Sequence, residues 1–206
     1  QIAVAAKSGT DPDINSTLAL AVEKAKAANM PLANIQRAID RVKDKNSAAL
    51  EEVVYEAYGP GGIGIIVEAA TDNKNRTFPE VRTALTKNGG TMAEPGSVSF
   101  QFTRKGVIRV KASGEDALLT ILDCGAEDAI EEDGEMVVYT VANELAKVRQ
   151  ALKEANLEVI DAELQYVPNN TIEITDSEVE RKIMNIMDAL DDLDDVSSVH
   201  SNFEIV

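Results

Sequence analysis

Between Tyr58 and Thr77 the chain reads Y-G-P-G-G-I-G-I-I-V-E-A-A-T-D-N-K-N-R-T. Four glycines and a proline are set against an apolar run of strand length, and a polar loop follows. That order leaves few options. Gly59-Pro60-Gly61-Gly62 supplies the left-handed and fixed dihedrals of a tight turn. Val53-Val54-Tyr55 before it and Ile63–Val67 after it read as the two strands that turn connects. On paper Gly59 to Gly64 also matches G-x-G-x-x-G. A dinucleotide site needs that pattern to open a helix whose N-terminus holds the pyrophosphate. Here it opens Ile65-Ile66-Val67, so the glycines serve a turn and no nucleotide cofactor is expected.

The opening third reads as helical. Leu18, Val22 and Ala25 recur at helical spacing up to Asn29-Met30-Pro31, and Pro31 suits the start of a second helix. Ile35, Ile39 and Val42 form the apolar stripe of that helix. Arg37, Arg41 and Lys45, at i, i+4 and i+8, make a basic ridge on roughly the opposite side, with Asp40 and Asp44 beside it. The ridge reads either as a polyanion contact or as a solvated face with local ion pairs.

Beyond the glycine turn, T-F-P-E has the form of a capping box, Thr77 with Glu80, opening a helix with Phe78, Val81 and Leu85 inward. Asn88-Gly89-Gly90 stops it, and Val98–Phe102 reads as another strand. From Gly106 to Pro168 the order becomes strand, helix (Glu115–Asp123, opened by Ser113), hairpin around Asp133-Gly134, helix (Asn143–Ala155) and strand (Leu157–Tyr166). That βαββαβ order is ferredoxin-like. The tail offers one helix, with a second capping box at Ser177 and Glu180, and one strand over Val199–Ile205. A lone helix and strand cannot bury themselves, whereas the middle region lacks one of each. The expected fold is therefore α+β, a helical N-terminal domain plus two small α/β-sandwich domains, the second inserted into the first. The expected boundaries are 1–48, 49–105 with 169–206, and 106–168, with Val167-Pro168-Asn169-Asn170 as the return linker.

The net charge is −16 over 206 residues, unevenly spread. Residues 1–110 carry 14 Lys and Arg against 12 Asp and Glu, while residues 111–206 carry 6 against 24. A polyanion should therefore meet the first half. The single cysteine, Cys124, excludes an internal disulfide framework and a multi-cysteine zinc site. It reads as a reduced thiol in an apolar helix. No apolar run approaches the roughly 20 residues of a membrane span. The chain opens at Gln1 inside a helical pattern, which predicts a missing N-terminal piece. Aromatic residues make up 4% of the chain with no Trp, which argues against base stacking as the main mode of nucleic-acid contact.

Asp72-Asn73-Lys74-Asn75-Arg76-Thr77 leads from a strand end into a helix. Two cations and several amides beside free helix N–H groups suit a phosphate or backbone contact, and Asx turns closing a loop explain them equally. Arg104 and Lys105, with Arg82 and Lys87 on the preceding helix, extend the basic set. The aspartates at 188, 191, 192, 194 and 195 read as a solvent face rather than a cation site. His200, the sole histidine, reads as structural. No P-loop, zinc-finger or RRM pattern occurs, and no constellation suits catalysis.

Tyr58-Gly59-Pro60-Gly61-Gly62, Asp72-Asn73-Lys74-Asn75-Arg76, Asn88-Gly89-Gly90 and Gly96-Ser97-Val98 fall in an order that closely resembles the YebC/PmpR family, over Ile2 to Val206. These are cytoplasmic bacterial proteins related to the mitochondrial translational activator of cytochrome c oxidase. The resemblance implies the same three-domain layout, a lost Lys- and Arg-rich N-terminal arm, and a non-enzymatic regulator without cofactor or metal. It implies DNA binding in transcriptional regulation or, alternatively, action on the ribosome through rRNA and ribosomal proteins. It marks the loop residues as family residues without assigning them a ligand. The sequence fixes no oligomeric state.

Overall fold

The structure, a computed structural model, describes residues 2–6, 9–12, 14–40 and 50–206. The N-terminal unit contains α1 (Ile2–Ala5), α2 (Ser16–Ala27) and α3 (Leu32–Asp40). Asn15 caps α2: its side chain accepts from the Leu18 amide and donates to the carbonyls of Ala5 and Gly9, both at 2.7 Å. Leu18, Val22, Ala25, Ile35 and Ile39 are buried against Ile2, Ala5 and Ala6. These are the apolar positions that the helical spacing selects. Val42, Asp44, Arg41 and Lys45 lie outside the described residues.

Next come β1 (Glu51–Tyr58), β2 (Gly64–Thr71), α4 (Lys74–Lys87) and β3 (Thr91–Met92). They are followed by β4 (Phe102–Val110), α5 (Glu115–Asp123), β5 (Asp128–Glu132), β6 (Glu135–Val141), α6 (Leu145–Glu154) and β7 (Val159–Pro168). The chain ends with β8 (Ile172–Ile174), α7 (Ser177–Asp191), β9 (Val196–Ser201) and β10 (Phe203–Ile205).

The first sheet has the order β3-β1-β2-β9, so the tail returns to strands laid down 130 residues earlier. Strand β9 runs antiparallel to β2, with Ile66 opposite His200 and Val67 opposite Val199. Ile183, Ile186 and Leu190 of α7 are fully buried with Ile63, Ile65, Val67, Val81 and Leu85. The second sheet has the order β5-β6-β4-β7, every neighbour antiparallel. With α5 and α6 this is the ferredoxin-like arrangement, whose core holds Ile108, Val110, Ile121, Val138, Val148 and Leu152. Asp133 and Gly134, both at positive φ, close its hairpin. Strands β4 and β7 leave and re-enter the first unit side by side, from Phe102 opposite Pro168 to Val110 opposite Val159.

Several local expectations change. Helix α4 starts at Lys74, not Thr77: Asn73 is its cap, accepting from the Asn75 amide at 3.1 Å. Thr77 lies one turn inside, fully buried. Helix α7 is capped by Asp176, which accepts from the Glu178 and Val179 amides, so the box at Ser177 is displaced by one residue. Helix α5 is preceded by Gly114 at φ 87°, not capped by Ser113. Phe78 is 41% exposed rather than inward. The expected strand at Val98–Phe102 is a 3-10 turn over Ser99–Gln101, and the edge strand is Thr91–Met92. The Glu56 carboxylate takes the amides of Gly96, Val98 and Ser99, which removes them from any ladder. The terminal strand is split at Asn202, whose side chain accepts from the Gly64 amide at 2.7 Å and donates to Gln101. Val167 and Pro168 belong to β7 rather than to a linker.

The N-terminal unit docks on the ferredoxin-like unit through α2. Lys24 pairs with Asp161 at 3.3 Å and with Glu163, while Glu23 pairs with Arg149 and with Lys153 at 3.5 Å. Beside these pairs is a cleft of about 290 Å³ whose lining includes Leu20, Val53, Glu68, Arg104 and Leu164. No helix among the described residues is long and apolar enough to cross a membrane.

Candidate nucleic-acid interface

Two glycine turns meet at one end of the first sheet. Gly59 to Ile63 closes with the Gly59 amide donating to Ile63 O at 2.9 Å, and Gly61 and Gly62 hold φ near 80°. A side chain on Gly59 would meet Ile63 Cγ1 at 2.7 Å, and one on Gly64 would meet Val98 at 2.8 Å. Both glycines are there for close packing. Asn88-Gly89-Gly90 ends α4, with Gly89 at φ 88° and the Gly90 amide donating to Leu85 O. A Cβ on Gly89 would lie 3.8 Å from Pro60, so the two motifs are neighbours. Tyr58 reaches across to donate its hydroxyl to Ser97 O at 2.8 Å.

At the opposite end of α4, the loop cations are anchored within the fold. Arg76 donates to both oxygens of Asp195, at 2.7 and 2.9 Å, and to Asp72 at 3.2 Å. Lys74 pairs with Glu51 at 2.5 Å. The hydroxyls of Thr77 and Thr71 sit 2.6 and 3.0 Å from the same Asp195 oxygen. Burial by itself would raise the Asp195 pKa, but the bonds from Thr77, Arg76 and Thr71 and the Arg76 charge hold it below the ordinary value. Asp195 therefore leaves the solvent-face group to which its neighbours belong: its side chain is only 12% exposed. Asn73 and Asn75 remain exposed at the surface of this corner.

The other cations divide in two. Arg104 lies 3.6 Å from Glu68 and over the Tyr166 ring, and Lys105 pairs with Glu127 at 3.3 Å. Glu68 also meets His200 Nε2 at 3.1 Å, which places the sole histidine in a structural junction between β2, β9 and β4. By contrast, Arg82 and Lys87 on α4 and Arg37 on α3 are exposed and make no ion pair among the described residues. Arg181 and Lys182 of α7, absent from the expected set, share that condition. Arg41 and Lys45 lie outside the described residues.

The fold also redistributes charge. Residues 1–48 carry +2; residues 106–168 carry 5 basic and 14 acidic side chains; residues 49–105 with 169–206 carry 8 and 17. Residues 49–105 alone are nearly balanced, 6 basic against 7 acidic, and the returning tail adds ten acidic residues to them.

Glu56 is the residue most easily missed. It stands in a strand of apolar neighbours, 8% exposed, and accepts from three backbone amides at 2.6–2.9 Å. Burial would raise its pKa, and those bonds lower it below the usual value. An acid inside V-V-Y-E-A-Y is the one sequence signal that points to it. Nothing comparable marks Asp195.

A mixed helix-and-sheet protein, with a ferredoxin-like unit set between the strands of another sheet and two glycine turns meeting at that sheet's end, is a recognisable class. The chain belongs to the TACO1/YebC family. Residues 1–45 match the TACO1/YebC N-terminal domain, and residues 50–203 match the TACO1/YebC second and third domain. A probable transcriptional regulatory protein of Herpetosiphon aurantiacus is 48% identical, over 99% of this chain and 83% of that protein. Another of that name from Fusobacterium nucleatum is 47% identical, over 100% and 84%. The crystal structure of a conserved hypothetical protein from Aquifex aeolicus aligns with TM-score 0.93 at 40% identity, covering all of this chain and 86% of that one.

Proposed function

We propose that this chain is a non-enzymatic regulator of gene expression that contacts nucleic acid in the cytoplasm, as a DNA-binding transcriptional regulatory protein. The carrying observation is a set of exposed cations that no described carboxylate neutralises, among them Arg82 and Lys87 on α4 and Arg37 on α3. The names borne by close relatives support the same reading. Among the described residues such cations are few, so their share of binding is a handful of phosphate contacts with a modest salt dependence. Arg82→Ala with Lys87→Ala should weaken duplex DNA binding and flatten the slope of log affinity against log salt by roughly 2. Lys74→Ala with Arg76→Ala, whose charges are already engaged, should flatten it less. Equal effects from the two pairs would contradict this division of the cations.

A second reading is a ribosome-associated translation factor that binds rRNA and ribosomal proteins. It is favoured by the surplus of nine acidic charges on residues 106–168, a surface suited to a basic protein and repelled by free DNA. Sedimentation of cell extract through sucrose, with RNase or DNase treatment, separates the two. Co-migration with ribosomes that RNase abolishes and DNase leaves intact supports the second reading and removes the first.

A further inference from the structure

Phe100 is 71% exposed, yet the backbone under it is fixed from three directions. Glu56 of β1 accepts from the amides of Gly96, Val98 and Ser99. Asn169, just past β7, donates its side chain to Phe100 O at 3.2 Å and its amide to Gln101 O at 2.8 Å. Asn202, just past β9, donates to the Gln101 side chain at 2.9 Å. Val98, two residues before the ring, is fully buried with Ile66 and Phe102. An apolar ring on a free loop folds down onto the nearest apolar surface. This one stays in water on a turn whose backbone those bonds hold.

Its surroundings are equally unusual for a chain with 36 acidic residues. No Asp or Glu occurs from Pro95 to Gly114 or from Leu164 to Ile172. Strand pairing brings these stretches together, with Phe102 opposite Pro168, Thr103 opposite Val167, Arg104 opposite Tyr166 and Lys105 opposite Gln165. Carboxylates reach this region from outside it, among them Glu56 to the Gly96, Val98 and Ser99 amides, Glu68 to Arg104 and Glu127 to Lys105. Exposed Thr103, Asn169 and Asn170 add neutral hydrogen-bonding groups around the ring.

We propose that Phe100 is a stacking platform for an unpaired nucleobase of a single-stranded RNA or DNA segment. The inference rests on the nucleic-acid reading above and gives it a specific contact. A ring standing on a convex turn cannot reach the faces of bases stacked in a duplex, but a splayed-out base offers its π-face freely. Arg104 and Lys105 follow on β4, and a flanking phosphate there competes with Glu68 and Glu127 for their partly exposed charges.

Fluorescence anisotropy with labelled 20-nucleotide single strands of RNA and DNA, and with the matching duplex, tests it on the full chain. Phe100→Ala should weaken single-strand binding roughly 5- to 150-fold, the range of one lost base–aromatic stack, and leave duplex binding unchanged. Phe100→Leu should fail to restore it, and Phe100→Tyr should succeed. The chain has no Trp, so Phe100→Trp creates a single reporter whose emission a stacked base should quench. A folded Phe100→Ala that binds single strands as the parent does overturns the proposal and leaves the wider reading standing. So does full rescue by Phe100→Leu, which would mark a plain apolar contact with a protein partner. Failure of the parent protein to bind any of the three probes overturns both.

Discussion

Asp195 and Arg76 stand 119 residues apart in sequence and fasten the end of α7 to the start of α4. The carboxylate is largely buried and bonded to Arg76, Thr71 and Thr77, so removing its charge strands three donors aimed at one point. Asp195→Asn should cost about 2–3 kcal/mol at neutral pH, the worth of charge-assisted bonds in a buried setting. The pH dependence has a definite sign. A folded pKa held below the ordinary carboxylate value stabilises the native state fully above the unfolded value of about 4, and that stability drains away as pH falls through the lowered folded pKa. Urea unfolding at pH 7 and at pH 3.5 should therefore show the gap between parent and Asp195→Asn narrowing on acidification. A gap that widens in acid would mean that the carboxylate is not the stabilised species. Lys74 and Arg76 look alike in sequence, two cations in one loop, but the fold uses Arg76 in a bridge to Asp195 and ties Lys74 to Glu51.

Among the elements, α7 covers the first sheet together with α4. Leu190 has no exposed surface and sits in the cluster with Ile63, Ile65 and Leu85. Leu190→Ala should cost about 2–5 kcal/mol in chemical unfolding, as cavity-forming substitutions do. We read the three units as domains, so residues 107–168 expressed alone should give a cooperative melt, whereas a chain cut before Ser177 should aggregate. A non-cooperative 107–168 fragment would refute that division. The tail helix is legible because Val179, Ile183, Ile186, Met187 and Leu190 recur at helical spacing, with Leu193 just past its end, and the ferredoxin-like order is legible from alternating periods. Helix starts were less so. Thr77 and Ser177 each stand three residues before a Glu, yet Asn73 and Asp176 cap instead because their side chains reach the first free amides earlier. The turn at Ser99–Gln101 looked like a strand because its apolar alternation is genuine; what overrides it is a carboxylate from β1, more than 40 residues away. The candidate site was legible as a list of cations. Which of them the fold neutralises was not, because apart from Asp72 beside Arg76 the partners come from other elements.

At the scale of the whole molecule, charge is exchanged between units. Lys24 and Glu23, adjacent on α2, meet acids and bases respectively on the ferredoxin-like unit. Lys24 is 40% exposed, so the pair with Glu163 is screened and worth about 0.2–1 kcal/mol. Lys24→Glu should loosen the docking of α2, seen as faster amide exchange in its last two turns. Adding Glu163→Lys should restore part of the protection, and 1 M salt should erase the difference. If the double variant is as loose as the single one, the contact is apolar, through Leu20, rather than ionic. The split of the first sheet also has a consequence in time. Strand β2 is completed at Thr71, but its partner β9 begins only at Val196. At a synthesis rate of 5–20 residues per second, the nascent chain spends on the order of 6 to 25 s with the Ile65–Ala69 edge unpaired. During that interval the ferredoxin-like unit, whose strands are all made between residues 102 and 168, can already close. A nascent chain therefore holds a finished inner unit hung from an unfinished outer one, and its sticky strand edge is masked only once Val196–Ser201 arrive.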